Sequence, residues 1–195
     1  MNYFTSDIHF CDPVTMHDDS RPFKSVHIYD KYALKSLNKF AKKGDNLYII
    51  CDLMDCDNNT SHIWEKAIPL IKKIKANIIL ITGNNEDRIV EYFFDNDFEK
   101  FKQFCFSIGI KEVVREKYLT FGGYEFYLTH EPINHKKDYI NLFGHLHRSR
   151  GIWQSFGINV SFDMNHFRPY SENDILFQLQ EKNKYWHNDN NLKLV

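Results

Sequence analysis

What the chain lacks narrows its reading first. It has only four cysteines in 195 residues (Cys11, Cys51, Cys56 and Cys105), and none form a CxxC pair. Disulfide scaffolds, zinc knuckles and thioredoxin-type redox chemistry are set aside, and free thiols fit a reducing compartment. An excess of one charge is missing too: 25 Lys and Arg stand against 26 Asp and Glu, for a formal net charge of −1. Such a chain has no broad basic field for long nucleic acid or an anionic membrane. No run approaches the ~18 apolar residues that a transmembrane helix requires. The opening Met1-Asn2-Tyr3-Phe4-Thr5 has neither a basic nor a long apolar segment, so the cytoplasm is the expected location. No linker, repeat or low-complexity segment stands out.

What is present reads as one domain over residues 1–182 and a polar, Asn-rich tail over 183–195. Apolar residues make up 43%, enough for a sizeable core. The organising stretch is Ile78-Ile79-Leu80-Ile81-Thr82-Gly83-Asn84-Asn85-Glu86. Its apolar run has strand length, and a Gly-Asn pair ends it. Asn2–Ser6 and Leu47–Cys51 read as two further strands of the same kind, followed by Asp7-Ile8-His9 and Asp52-Leu53-Met54-Asp55. Phe10 to Pro22 reads as a loop over the site. Apolar spacing predicts helices from Val26 to about Lys43 and from Ile63 to Ile74, with Ser61 as a cap and Pro69 as a kink. Another helical stretch, rich in Phe, lies between Asp87 and Ile108. Strands are then expected at Ile110–Val114, in a hairpin over Tyr118–Thr129, and at Tyr139–Phe143, Gly157–Phe162 and Ile175–Leu179. The pattern predicts an α/β fold: a two-sheet α/β/β/α sandwich, its second sheet largely antiparallel, with a metal site at strand C-terminal ends.

Five of these strand ends carry Asp7 with His9, Asp52, Asn84, His130, and His145 with His147. One histidine after a strand is commonly a turn or core residue. Seven mixed nitrogen and oxygen donors at strand ends point to metal instead, and they are too many for one tetrahedral zinc ion. They suit two divalent ions sharing a carboxylate, with Mn favoured and Fe or Zn as alternatives. Two ions ~3.5–4 Å apart acidify a bridging water and neutralise phosphate charge.

Asp7-x-His9, Asp52-x-x-Asp55, Gly83-Asn84, His130 and Gly144-His145-x-His147 resemble, in order and spacing, the five motifs of the calcineurin-like metallophosphoesterases. The resemblance runs from about Asn2 to Pro169. Arg21-Pro22-Phe23 and the stretch from Asn159-Val160-x-x-Asp163 to Arg168-Pro169 resemble a subgroup of small bacterial and phage phosphoesterases. The resemblance implies that Asp7, His9 and His147 bind one ion, that Asn84, His130 and His145 bind the other, and that Asp52 bridges them. Asp55 would orient a ligand imidazole. Arg21, Arg88 and Arg148 are candidates for holding phosphate, with Arg148 best placed by its position after His147. Phe167 and Tyr170 are candidates for ring stacking or for packing.

The chain departs from the family's pattern at two positions. Cys51 stands where a glycine usually precedes the bridging Asp. Asn85 stands where a histidine usually protonates the leaving group or holds the phosphate. An amide donates a hydrogen bond but is no general acid near pH 7. General acid catalysis is worth ~10²–10⁴-fold, so poor leaving groups should turn over slowly. His17, His166 or a metal-bound water are the substitutes available. The implied function is hydrolysis of a small phosphoester, a diester ahead of a monoester, by in-line attack of a metal-bridging hydroxide, with Asp52 and Asn85 in catalytic roles. The alternatives are a metal-retaining, non-catalytic binding or scaffold protein, and a phosphomonoesterase or nuclease using the same site. A small phosphoester is the expected partner, with no membrane and with long nucleic acid disfavoured. Natural substrate and oligomeric state are not legible.

Overall fold

Apolar residues alternate their faces along the early strands, and that alternation builds two cores. The computed structural model describes residues 1–56, 62–148, 153–154 and 157–185. In chain order the elements are β1 (Asn2–Thr5), α1 (Pro13–Asp18), α2 (Val26–Phe40), β2 (Asn46–Ile50), α3 (Ile63–Ile71), β3 (Asn77–Ile81), α4 (Asn84–Phe93), α5 (Phe98–Ser107) and β4 (Ile110–Val114). They continue as β5 (Lys117–Phe121), β6 (Tyr124–Leu128), β7 (Ile140–Phe143), β8 (Trp153–Gln154), β9 (Gly157–Asn159), β10 (Tyr170–Ser171) and α6 (Glu172–Tyr185).

The first sheet has the order β10-β1-β2-β3-β4, with β1 to β4 parallel and β10 antiparallel at the edge. Leu47, Ile49, Ile78 and Leu80 point to one face, under Tyr29, Ala33 and Leu37 of α2, Trp64 and Ala67 of α3, and Phe101 of α5. Tyr48, Ile50, Ile79 and Ile81 point to the other face, against Phe126, Leu128, Leu142 and Ile158 of the second sheet. Each fully buried Leu, Ile or Phe here contributes about 1.5–3 kcal/mol. The result is an α/β sandwich of two stacked sheets with helices on the outer face of the first. Among the described residues no helix is long and apolar enough to cross a membrane.

Several expectations are corrected. The second sheet, β5-β6-β7-β9-β8, is mixed rather than largely antiparallel: β6, β7 and β9 run parallel, and only the two edge pairs are antiparallel. Residues 175–179 lie in α6, not in a strand. Ser171 and Asp174 cap each other there: Ser171 N–H donates to Asp174 Oδ2 at 2.8 Å, and Asp174 N–H donates to Ser171 Oγ at 3.1 Å. Ile175 and Leu179, one turn apart, are the buried pair. The loop expected over 10–22 contains α1, because Asp12 accepts N–H bonds from Val14 and Thr15 and Pro13 takes the first helical position. Pro69 sits inside α3, which stops two residues later instead of running to Ile74. Residues 183–185, expected in the polar tail, belong to α6, while Ser61 as a cap and the tail beyond 185 lie outside the described residues.

Candidate metal centre

The strand ends of β1, β2 and β3 in the first sheet, and of β6 and β7 in the second, deliver their polar residues to one edge. Asp7 is wholly buried. Its Oδ2 accepts hydroxyl bonds from Ser6 at 2.5 Å and Ser161 at 2.7 Å, and the His145 N–H donates to its Oδ1 at 2.9 Å. Both sheets therefore meet at this carboxylate. The backbone takes left-handed φ at Asp7 (+54°), His9 (+50°), His145 (+69°) and His147 (+43°). Each such residue costs of order 1–3 kcal/mol and persists only where the surroundings enforce it.

Three imidazoles share one arrangement. His9 Nδ1 lies 3.4 Å from Asp12 Oδ2, His147 Nδ1 lies 2.5 Å from Asp19 Oδ2, and His130 Nδ1 bonds the Ile50 carbonyl at 3.2 Å. Their Nε2 atoms turn inward. His9 Nε2 is 3.9 Å and His130 Nε2 3.4 Å from Asp52 Oδ2, while His147 Nε2 is 3.6 Å from Asp7 Oδ1. Donor atoms of Asp7, His9 and His147 lie within 4.8 Å of one another, as do those of Asp7, Asp52 and His130. His9 Nε2 is buried without a hydrogen-bond partner. A buried nitrogen left so, facing carboxylates, fits a cation better than a closed hydrogen-bond network. The donor set is imidazole and carboxylate, with no thiolate, which suits borderline and hard divalent ions.

Electrostatics agree with the packing. Burial opposes charge on Asp52, but His130, His9 and the Asn85 N–H at 3.1 Å outweigh it and hold the carboxyl well below the usual range. Burial likewise opposes charge on His130, yet Asp52 pushes it up to about 10. His147 is pushed up to about 10 against its burial by hydrogen bonds to Asp163 and Asp19 and by Asp7. For Asp12, burial is outweighed by hydrogen bonds from His9 and Thr15, which lower its carboxyl to about 2.

Asn84 opens α4, and its Oδ1 lies between His130 Nε2 at 3.1 Å and His145 Nδ1 at 3.0 Å. Glu86, two residues on, is completely buried. It accepts N–H bonds from Leu53, Met54 and Gly83, so it ties the Asp52 loop to the start of α4. The Gly-Asn and Gly-His pairs have a steric cause. A Cβ at Gly83 would stand 2.4 Å from Asp52 Oδ1, and one at Gly144 would stand 2.4 Å from Ser6 Oγ and 2.7 Å from Asp7 Oδ2.

Asp7, His9, Asp52, His130 and His147 cluster, Asn84 and His145 join them through the Asn84 Oδ1 contacts to His130 and His145, and Asp55 is buried in a cluster with His9 and Asp12. Others it places elsewhere. Arg21 has no exposed side-chain surface. It grips Asp163 through Nε at 3.1 Å and Nη2 at 2.8 Å and donates to the carbonyls of Asp7 and Ile8, so it braces the centre and has no free face for phosphate. Arg148 donates to the Asp19 and Ser20 carbonyls. Arg88 donates to Asn85 Oδ1 at 3.3 Å and lines a cavity of about 800 Å³ shared with Asn84 and His130. His17 projects from α1 with its side chain 88% exposed, paired with Asp18, and His166 lines a different cavity. Phe167 and Tyr170 are buried, which makes them packing residues. The Cys11 thiol is pushed up to about 12 by burial and Asp30, which favours the protonated thiol.

The sequence reading assigned no role to Ser6, Asp12, Asp19, Glu86 or Ser161. Two of these had a local signal. Asp12-Pro13 is a helix start, and Glu86 lies three residues after Gly83 at another. Asp19 and Ser161 reach the centre only through tertiary proximity.

Fold and site together define an α/β sandwich with buried His/Asp clusters able to hold metal ions. No protein-family model matches the chain. The uncharacterized protein MJ1445 of Methanocaldococcus jannaschii is similar at 26% identity, over 97% of each chain. Among solved structures, the protein of unknown function AQ665 from Aquifex aeolicus superposes with a TM-score of 0.62 at 22% identity, covering 91% of this chain and 98% of that one. That likeness supports the fold. A novel archaeal phosphodiesterase superposes with a TM-score of 0.44 at 16% identity, covering 82% of this chain and 81% of that one, a likeness too slight to bear on activity.

Proposed function

We propose that this chain is a dinuclear metal-dependent phosphoesterase of the calcineurin-like kind, acting on small phosphodiesters. One observation carries the reading. Three imidazoles, each with Nδ1 tied outward, turn their Nε2 atoms toward two buried carboxylates, Asp7 and Asp52. Asp7, His9 and His147 would hold one ion, Asn84, His130 and His145 the other, with Asp52 shared. Mn is the favoured ion, with Fe or Zn as alternatives. When bound, such ions supply positive charge that acidifies water and offsets phosphate charge.

The chain's own groups do the rest. The groups beside Nδ1, the Asp12 and Asp19 carboxylates and the Ile50 carbonyl, would hold the three rings with Nε2 inward. The Arg88 N–H occupies Asn85 Oδ1, which leaves the amide's Nδ2 as the end that donates to a phosphoryl oxygen. An amide cannot protonate the leaving group, so good leaving groups are favoured. The adjoining cavity of about 800 Å³, lined by Arg88, Tyr127, Ile133 and Asn134 among others, has room for the second ester group, and this favours diesters over monoesters. Its lining mixes Arg and Lys with Asp and Glu, which suits a small substrate better than a polyanion.

The test is hydrolysis of bis-p-nitrophenyl phosphate and p-nitrophenyl phosphate by metal-stripped protein resupplied with Mn²⁺, Fe²⁺ or Zn²⁺. Metal-dependent turnover, with the diester ahead and with activity lost in Asp52→Asn, is expected. Stoichiometric metal uptake without turnover of either ester would sink the catalytic reading. It would leave the second one, a metal-retaining binding protein, which Asn85 in place of an acid favours.

A further inference from the structure

A second cavity, of about 450 Å³, shares no lining residue with the candidate centre or with the cavity beside it. Tyr32, Lys35, Ser36, Lys39 and Phe40 of α2 form one wall, and His166 and Arg168 form the other. The α2 residues recur at helical spacing, so they share one face. None of the seven is acidic. Among the described residues, Lys35, Lys39 and Arg168 have no ion-pair partner, although the whole chain carries 26 carboxylate side chains. All three are exposed, so their charges face the solvent at this cavity.

The opposite wall is held in place by backbone in an uncommon conformation. His166 and Phe167 are consecutive left-handed residues, with φ of +53° and +57°. Left-handed non-glycine residues usually occur singly. Here the Phe167 carbonyl accepts the Ser36 hydroxyl at 2.6 Å, and its ring packs edge-on to Phe23 and Tyr29. That anchor throws His166 and Arg168 outward over α2. The Arg168 guanidinium carbon lies 6.0 Å from the Phe40 ring centre and Lys39 Nζ lies 5.3 Å from it, so this ring holds both cations beside the cavity. The Arg168 Nε bonds Asn165 Oδ1 at 3.1 Å, which fixes the guanidinium. Tyr32 adds a half-exposed ring.

We propose that this cavity is a nucleoside-phosphate site, independent of the candidate metal centre. Lys35, Lys39 and Arg168 would take the phosphates, since a guanidinium fork and ammonium groups match phosphate oxygens. The half-exposed Tyr32 ring would take the base. The volume is that of a small-ligand pocket and suits a single nucleotide.

The experiment is calorimetric titration with ADP, pyrophosphate, adenosine and a short oligoadenylate, in EDTA so that the metal centre holds no ion. ADP is expected to bind one per chain and more tightly than pyrophosphate or adenosine. Lys39→Ala/Arg168→Ala is expected to weaken ADP at least tenfold, with the circular dichroism spectrum and aryl-diester hydrolysis unchanged. Tyr32→Ser is expected to weaken ADP while leaving pyrophosphate as it was. His145→Ala, at the metal centre, should leave ADP binding unchanged. No ADP binding to the wild-type chain overturns the proposal, as does binding that survives the double variant or disappears in His145→Ala. Pyrophosphate binding as tight as ADP would overturn the nucleotide assignment, and tighter binding of oligoadenylate would overturn a free nucleotide as the ligand.

Discussion

His147 turns Nδ1 to Asp19, 2.5 Å from a carboxylate oxygen, and Nε2 to Asp7, 3.6 Å away. The imidazole is thus suspended between a carboxylate that orients it and one that shares its target. Asp19→Asn should keep the fold and weaken metal binding by about 10–100-fold, the usual effect of losing such a partner. Competition with a chromophoric chelator measures this. An unchanged affinity would mean that Asp19 does not aim the ring.

Metal uptake should be strongly pH-dependent. His130 and His147 are each pushed up to about 10, so both are charged at pH 8 without metal, and both must lose a proton to become ligands. Affinity should therefore rise with pH up to about 10. Calorimetry at pH 8 in buffers of different ionisation enthalpy should show protons released on binding. The ion-free protein should show the opposite trend in stability. A raised imidazole stabilises the fold fully below its unfolded value, ~6.5, and that contribution is lost as pH rises toward 10. Urea midpoints of stripped protein that rise across this window would contradict the assignment.

Gly83→Ala and Gly144→Ala should each be worse than a surface substitution. The new Cβ would meet Asp52 Oδ1 or Ser6 Oγ at 2.4 Å. Overpacking costs about 1–3 kcal/mol, and here the atoms that must yield are those of the centre. Thermal melts should fall by several degrees for this cost in a chain of this size, and metal affinity should fall with them.

Arg21→Met should destabilise by about 3 kcal/mol, because it takes the two-pronged guanidinium from the buried Asp163 carboxylate and leaves His147, 3.7 Å away, as its remaining cation. Arg21→Met/Asp163→Leu should cost less than the sum of its two single variants. Urea unfolding of all four proteins measures the coupling, and strict additivity would mean the pair is not a unit.

Asn85→His should raise turnover of a poor alkyl leaving group more than that of p-nitrophenolate, since only the former needs a proton. A steady-state comparison of alkyl and aryl esters decides it. Equal gains would place Asn85 away from the leaving group.

The parts of the fold legible in sequence were those with long apolar runs. Ile78–Ile81 and Leu47–Ile50 could be little other than buried strands, and the polar residues after them had nowhere to go but the sheet edge. Residues 175–179 misled because a short apolar run fits either period. Ser171-x-x-Asp174, just before them, was the signal for a helix. The parallel pairing of β6, β7 and β9 left no local mark, since these strands have only three to five residues each. Arg21 and Asp163 were both visible in the chain, but 142 positions separate them, and nothing local pairs two such residues. Asp19 and Ser161 were illegible for the same reason.

The left-handed backbone at Asp7, His9, His145 and His147 has a further consequence. Apart from glycine, that conformation is tolerated best by Asn, Asp and His. The chain trace therefore screens the amino-acid alphabet at these positions before any ion does. Other side chains bear a cost of about 1–2 kcal/mol there, as Cys11, Ser20 and Phe167 do elsewhere in the chain, so the residues favoured are largely those able to donate a lone pair to a cation. Drift that spared the trace would leave much of the coordinating character in place.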